Sequence, residues 1–165
     1  MDKIEELLKD PKTDLQKQAL TDKSYKKTPN NQDCKINFEL ATYGDAILKC
    51  VLCKIYFEKE DEDNFGFKGK LTEWKKQYES DEVLVKFIAR HYDILNFLNF
   101  DRDDTKKPHD YDYQGKNTKR RYKYIATAME ACIAAVYIEN GENEVIEIVK
   151  QWIEWIDKVT NSSDT

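Results

Sequence analysis

Glycine and proline are scarce in this chain, with five and three copies among 165 residues. Sandwiches and barrels of many short strands need those residues at their turns, so that architecture is set aside. Histidine is scarcer still. His91 and His109 are the two copies, and neither has a cysteine or a second histidine at zinc-ligand spacing. No glycine-rich loop is present to cradle phosphates, which argues against a nucleotide-dependent enzyme. No apolar run reaches the length of a membrane span. The N-terminus, Met1-Asp2-Lys3-Ile4-Glu5-Glu6, is charged where a signal peptide needs an apolar core. The expectation is a cytoplasmic protein with no membrane association. In that compartment Cys34, Cys50, Cys53 and Cys132 remain thiols. Cys50 and Cys53 form a Cys-x-x-Cys, but no strand precedes it. Buried small side chains are the better reading than a redox pair.

Hydrophobic residues make up 40% and charged ones 36%, the balance of a soluble globular chain rather than a disordered one. The length fits one domain with a real core. That domain is expected to span residues 1–165, with its core at about 15–157 and a frayed tail at 161–165.

The apolar pattern is helical almost throughout. Asp2 opens a short helix that stops at Asp10-Pro11. Thr13-Asp14-Leu15-Gln16 matches a capping box and opens a second. A polar loop follows at residues 26–35. Ile36, Leu40, Tyr43, Ile47, Leu48, Val51, Leu52 and Ile55 then recur at helical spacing up to about Glu58. Their stripe is broad, which predicts a central buried helix. The run Glu58-Lys59-Glu60-Asp61-Glu62-Asp63 reads as a solvated loop. Residues 71–78 form another helix, and Ser80 caps a further one. Residues 99–118 read as a polar loop. Residues 122–139 form the second strongly apolar helix, with Ile125, Met129, Ile133 and Val136 on one stripe and Gly141 as its C-cap. A last helix carries Val145, Val149, Trp152, Ile156 and Val159, broadened by Ile148 and Trp155.

Spacing alone puts two acids on these central helices. Phe38, Ala41 and Asp45 share one stripe of the first, and Thr127 and Glu130 share one stripe of the second. If the helices pack together, Asp45 and Glu130 approach each other in an apolar surround. Ionised carboxylates buried there need metal, basic or hydrogen-bonding partners. The plainer alternative leaves each acid at a helix rim in water. Net charge is −5, so polyanion binding requires a local basic cluster. Lys116-Asn117-Thr118-Lys119-Arg120-Arg121-Tyr122-Lys123 is one. Its alternative role is to balance Asp101, Asp103, Asp104, Asp110 and Asp112 in a solvated loop. His109-Asp110-Tyr111-Asp112 is a weaker candidate, as a loop ion site.

Several segments, in order, resemble the ribonuclease III family. Ala19-Leu20-Thr21-Asp22-Lys23-Ser24-Tyr25 is similar to a family segment that carries His where this chain has Asp22. The family signature Asn-Glu-Arg-Leu-Glu-Phe-Leu-Gly-Asp is matched at Asn37, Leu40, Gly44 and Asp45, and continues into Ala46-Ile47-Leu48. A segment of the type Gly-x-Leu-Thr precedes the helix capped by Ser80. Thr127-Ala128-Met129-Glu130-Ala131 stands for the second signature, Asp-x-x-Glu-Ala. The likeness runs from about Leu15 to Trp152. It implies an all-α bundle like a ribonuclease III endonuclease domain, a Mg²⁺ site, double-stranded or structured RNA as substrate, and a homodimer.

The departures bear on activity. The resemblance implies four metal-binding carboxylates, at positions 41, 45, 127 and 130, and this chain has Ala41, Asp45, Thr127 and Glu130 there. Phe38 replaces a supporting Glu, and Lys68 stands where another acid is expected. Asp45 and Glu130 are therefore the candidate catalytic and metal-binding residues, with Mg²⁺ held weakly or not at all. Lys116, Lys119, Arg120, Arg121 and Lys123 are the candidate RNA contacts. The family's dimer plug, an aromatic, is Thr42 here, with Tyr43 and Phe38 as substitutes. No double-stranded-RNA-binding domain is expected after the last helix. Two classes remain open. One is a divergent Mg²⁺-dependent enzyme. The other is a binding protein that has lost cleavage and engages RNA or a ribonucleoprotein.

Overall fold

Each expected helix forms, for reasons that are mostly local. The computed structural model describes residues 1–59, 69–115 and 118–161. Among these residues the secondary structure is helical, apart from one isolated bridge between Thr21 and Asn99.

Helix α1 (Lys3–Lys9) is capped by the Asp2 side chain, which accepts the Glu5 N–H. Helix α2 (Asp14–Ala19) opens on the capping box of Thr13 and Gln16. Two 3₁₀ turns, Lys23–Lys27 and Pro29–Asn31, lie in and just before the expected loop. Helix α3 (Phe38–Lys59) begins two residues later than the apolar pattern proposes. Asn37 is buried and fixed outside it, donating its N–H to the Thr21 carbonyl at 2.9 Å and its side-chain amide to the Ala19 carbonyl at 3.3 Å.

Helix α4 (Lys70–Glu79) ends at Ser80, whose hydroxyl accepts the Val83 N–H and caps α5 (Asp81–Val83). The rod continues as a π-helical turn, Leu84–Ala89, and closes as α6 (Arg90–Tyr92). Asp93, at φ 51°, stops it. Helices α7 (Lys119–Asn140) and α8 (Glu142–Asn161) meet at Gly141. Gly141 takes φ 88° and donates its N–H to the Tyr137 carbonyl, the expected C-cap.

The core centres on α3 against α7, with α1, α2, α8 and the π-turn packed around α7. This enclosure explains why α7 is buried on nearly every side. Leu48, Leu52, Ile125, Met129, Ile133 and Ile148 are among its most deeply buried side chains. Each large aliphatic side chain removed from water in this way contributes roughly 1.5–3 kcal/mol. The Thr13 hydroxyl and Gln16 amide each donate to Glu139 at 2.6 Å, which pins α2 to the end of α7.

Two surface expectations need correction. Cys132 is buried, but Cys50 is exposed and Cys34 and Cys53 are half-buried. Cys50 lies seven residues from Tyr43 and four from Lys54, on the stripe of α3 that faces solvent. Tyr43 belongs to that stripe too, packed edge-on against Tyr137 with ring centres 5.9 Å apart rather than buried in the core.

The approach to α7 is held from the N-terminal side. Asp22 donates its N–H to the Asn99 carbonyl at 2.9 Å, and Asn99 donates its own to Leu20 at 2.8 Å. The Asp22 carboxylate takes the Lys107 ammonium at 2.9 Å, with both groups nearly enclosed, and that ammonium lies 4.1 Å from the Tyr124 ring centre. Burial pushes the Asp22 carboxyl up, but bonds from Ser24 and Lys107 outweigh it and hold it below the usual carboxylate range.

Candidate functional site

The site begins with a missing side chain. At Gly44 the backbones of α3 and α7 touch, and a Cβ there would overlap the Glu130 carbonyl and stand 3.3 Å from the Ala134 nitrogen. The signature glycine is therefore a packing requirement, imposed by close helix approach. Its neighbour Asp45 is carried to the same crossing as Glu130.

The two acids differ in setting. Glu130 is 6% exposed, while Asp45 is half-buried. Burial pushes the Glu130 carboxyl up to about 7; Lys123 opposes the rise, and the fields of Asp45 and Asp81 add to it. Asp45 accepts a 2.6 Å hydrogen bond from Lys49, one helical turn further along α3. Lys123 lies 2.9 Å from Asp81 and 3.6 Å from Glu130, so it joins α5 to α7. Lys119 reaches the other Asp81 oxygen at 3.7 Å. Nearby on α4, Lys75 stands 3.4 Å from Glu79. One oxygen of Asp81 and one of Glu79 are buried without a hydrogen-bond donor.

Asp45 and Glu130 thus meet the need for basic partners, and the partners are lysines. Ala41 is buried and Thr127 half-buried, and neither side chain carries a charge. Phe38 turns outward at 65% exposure. Among the described residues, no three His, Cys, Asp or Glu side chains are placed to hold a metal ion. A divalent cation prefers several oxygen donors free of ammonium groups. This donor set does not fit one.

The expected RNA contacts divide. Lys119 and Lys123 remain exposed, at 62% and 48%, but each stands at ion-pair distance from an acid. Arg120 and Arg121 are exposed on the first turn of α7, with Arg121 donating to the Lys106 carbonyl at 3.5 Å. Lys116 and Lys68 lie outside the described residues, as does most of the acidic run after Lys59. In the other candidate loop, Asp110 accepts the Tyr122 hydroxyl and Asp112 pairs with Arg90 at 2.7 Å. His109 packs edge-on against Phe100, and His91 stacks on Trp155 with ring centres 3.8 Å apart.

Sequence reasoning misses Asp81 and the pairing of Lys49. The second is legible, because Asp45 and Lys49 are four apart on one helix. Asp81 follows a recognised cap, but its link to α7 is tertiary and leaves no local signal.

The described residues form an all-helical domain with two acids at a glycine-mediated crossing of its central helices. The chain belongs to the ribonuclease-III-like family, which it matches over residues 12–155. It is 28% identical over 140 residues to Ribonuclease 3 of a Nitratiruptor species, covering 85% of this chain and 54% of that protein. Against Ribonuclease 3 of Azotobacter vinelandii the figures are 29% over 140 residues, 85% and 52%. The chain spans about half the length of these curated relatives. The nuclease domain of ribonuclease III from Campylobacter jejuni superimposes with a TM-score of 0.67 at 24% identity, covering 92% of this chain and 94% of that one. That structure was described for flexibility in a region involved in dimer formation.

Proposed function

We propose that this domain binds double-stranded or structured RNA in the cytoplasm and cleaves it weakly or not at all. The observation that carries the reading is the pairing of Asp45 with Lys49 and of Glu130 with Lys123, beside the uncharged Ala41 and Thr127. Phosphodiester hydrolysis needs an activated water and a stabilised leaving oxygen. Two acids already paired with ammonium groups offer little of either. Recognition asks less. Duplex RNA is read mainly by shape and by contacts to phosphates and 2′-hydroxyls. Arg120 and Arg121, exposed at the start of α7, supply such contacts without sequence information.

A labelled-duplex assay separates binding from cleavage. The expected result is a gel shift with little or no product in Mg²⁺. The second reading, an active Mg²⁺-dependent ribonuclease, is favoured by the survival of Asp45 and Glu130 at one crossing. Robust cleavage that disappears in Asp45→Asn establishes it instead.

The same proposal includes a homodimer. Phe38 and Tyr43 are 65% and 47% exposed on α3, and an apolar face of this kind favours self-association. Sedimentation equilibrium tests it, and a Phe38→Glu, Tyr43→Glu variant is expected to sediment as a monomer.

A further inference from the structure

The ammonium groups at the α3–α7 crossing have no role in metal-assisted cleavage. Lys49 is bonded to Asp45 at 2.6 Å from within α3. Lys123 rises from α7, two turns before Glu130, and lies between Glu130 and Asp81. Each of the two acids at the crossing therefore has a protein cation at ion-pair distance. Asp81, almost enclosed at 11% side-chain exposure, also receives Lys119, so one α5 carboxylate holds two α7 lysines at the edge of the crossing. The arrangement draws on three helices, and only the Asp45–Lys49 pair of it is local in sequence.

Carboxylates held near each other, one buried and one half-buried, repel, and something positive must offset that repulsion. We infer that Lys49 and Lys123 are the resident cations of this site, and that the domain engages duplex RNA without a divalent metal. The inference rests on the RNA-binding reading above and sharpens it. The lysines are positioning residues: they hold Asp45 and Glu130 in place as a bound ion would, and they occupy the space and charge that an ion would need. An incoming Mg²⁺ meets an ammonium group at Asp45 and another at Glu130. The other acid at the edge of the crossing, Asp81, is itself paired with Lys119 and Lys123, and among the described residues no three acids are placed to hold an ion and repay the displacement of either lysine.

Two measurements test this, and the first involves no RNA. Thermal unfolding is followed with and without 10 mM Mg²⁺ for the native chain and for Lys49→Gln, Lys123→Gln and the double variant. A ligand that binds the folded state alone raises the melting temperature. The native chain is expected to show no Mg²⁺-dependent rise. The double variant, with its acids uncompensated, is expected to gain one of roughly 3 °C or more. Lys49→Gln is the safeguard if the double variant fails to fold, because its pair is half-exposed and local to α3, and it should gain a smaller rise. A native rise as large as the variants' overturns the inference, as does no rise in any folded variant.

The second measurement is duplex RNA affinity in EDTA against Mg²⁺. Equal native affinity in the two buffers supports the inference, and a loss of tenfold or more in EDTA overturns it while leaving RNA binding intact. Absence of duplex binding in both buffers overturns the RNA-binding reading and, with it, the second half of this inference. The melting data then decide the cation role alone.

Discussion

Gly44 and Glu130 touch backbone to backbone: a single added carbon at Gly44 would overlap the Glu130 carbonyl. Neither partner is a flexible side-chain end, so the strain cannot be relieved by a rotamer change. Gly44→Ala is expected to push α3 off α7 and cost about 3 kcal/mol. Urea unfolding measures it. A loss below about 1 kcal/mol, the range of a helix-propensity effect, would mean that the helices separate easily.

Glu130 makes stability depend on pH near neutrality. Its carboxyl stands at about 7 in the fold against an ordinary value of 4.5. Between those values the native state holds a proton that the unfolded state has lost, so stability falls as pH rises through the window. The charged groups acting on it include Lys123 on its own helix, Asp45 and Lys49 on α3, and Asp81 on α5. The loss from pH 4.5 to pH 8 is on the order of 3 kcal/mol for this residue. Glu130→Gln, which mimics the protonated form, is expected to flatten that slope and to be more stable than the native chain at pH 8. Denaturant titrations at pH 5, 6.5 and 8 decide it, and parallel profiles in the two proteins would refute the assignment.

Asp22 and Lys107 act in the opposite direction. Their pair is almost enclosed, and removing one partner leaves a buried charge alone. Lys107→Ala is expected to cost about 3 kcal/mol and to free residues 99–115 from the N-terminal segment. Because the Asp22 carboxyl is held below its usual range, its contribution is present above the unfolded value of 3.8 and is lost as pH falls through the lower folded value. The variant should therefore lack part of the native acid limb. Hydrogen exchange at Asn99 and Asp101, whose N–H groups bond Leu20 and Ser24, should accelerate with it.

Most helices are legible in the sequence because their signals are local. Asp2, the Thr13–Gln16 box, Ser80 and Gly141 cap helices in the structure as their sequence patterns imply. The site is legible in part. The positions of Asp45 and Glu130 on apolar helices imply a crossing, and Gly44 supplies its physical basis. What stays hidden is tertiary. Lys123 reads as an RNA contact because it sits in a basic run, whereas the fold turns it toward Asp81 and Glu130. Tyr43 reads as core because helical periodicity cannot distinguish the rim of a stripe from its centre. The π-turn at Leu84–Ala89 shifts the register of its rod without any residue that announces it.

The division of the basic segment gives a test on RNA. All four basic side chains are exposed, but among the described residues Lys119 and Lys123 also pair with acids, and Arg120 and Arg121 do not. Arg120→Glu with Arg121→Glu is expected to weaken duplex binding and flatten its salt dependence by roughly two phosphate contacts, because fewer counterions are released. Adding Lys119→Glu should lower affinity further but also place a charge against Asp81, so that variant needs a stability control. Titrations at 50, 100 and 200 mM salt provide the slopes. An unchanged slope would move the RNA surface elsewhere.

The last prediction concerns restoring the missing acids. Thr127 is half-buried, so Thr127→Asp adds a carboxylate that water can still reach. Ala41 is 4% exposed, so Ala41→Glu must either bury a charge or push its side chain outward from α3. The two substitutions are not equivalent, and Ala41→Glu should carry most of the stability cost, about 2–4 kcal/mol. Together they complete four acids at positions 41, 45, 127 and 130, but Lys49 and Lys123 still stand paired with two of them. The pair alone is therefore expected to gain little Mg²⁺ affinity by calorimetry, and adding Lys49→Gln should raise it at least tenfold. Duplex cleavage is expected to follow the same order: least in the native chain, little more in the acid pair, most in the triple variant. If the acid pair alone binds Mg²⁺ as tightly as the triple variant, Lys49 does not guard the site. If none binds more tightly than the native chain, the added carboxylates do not converge with Asp45 and Glu130.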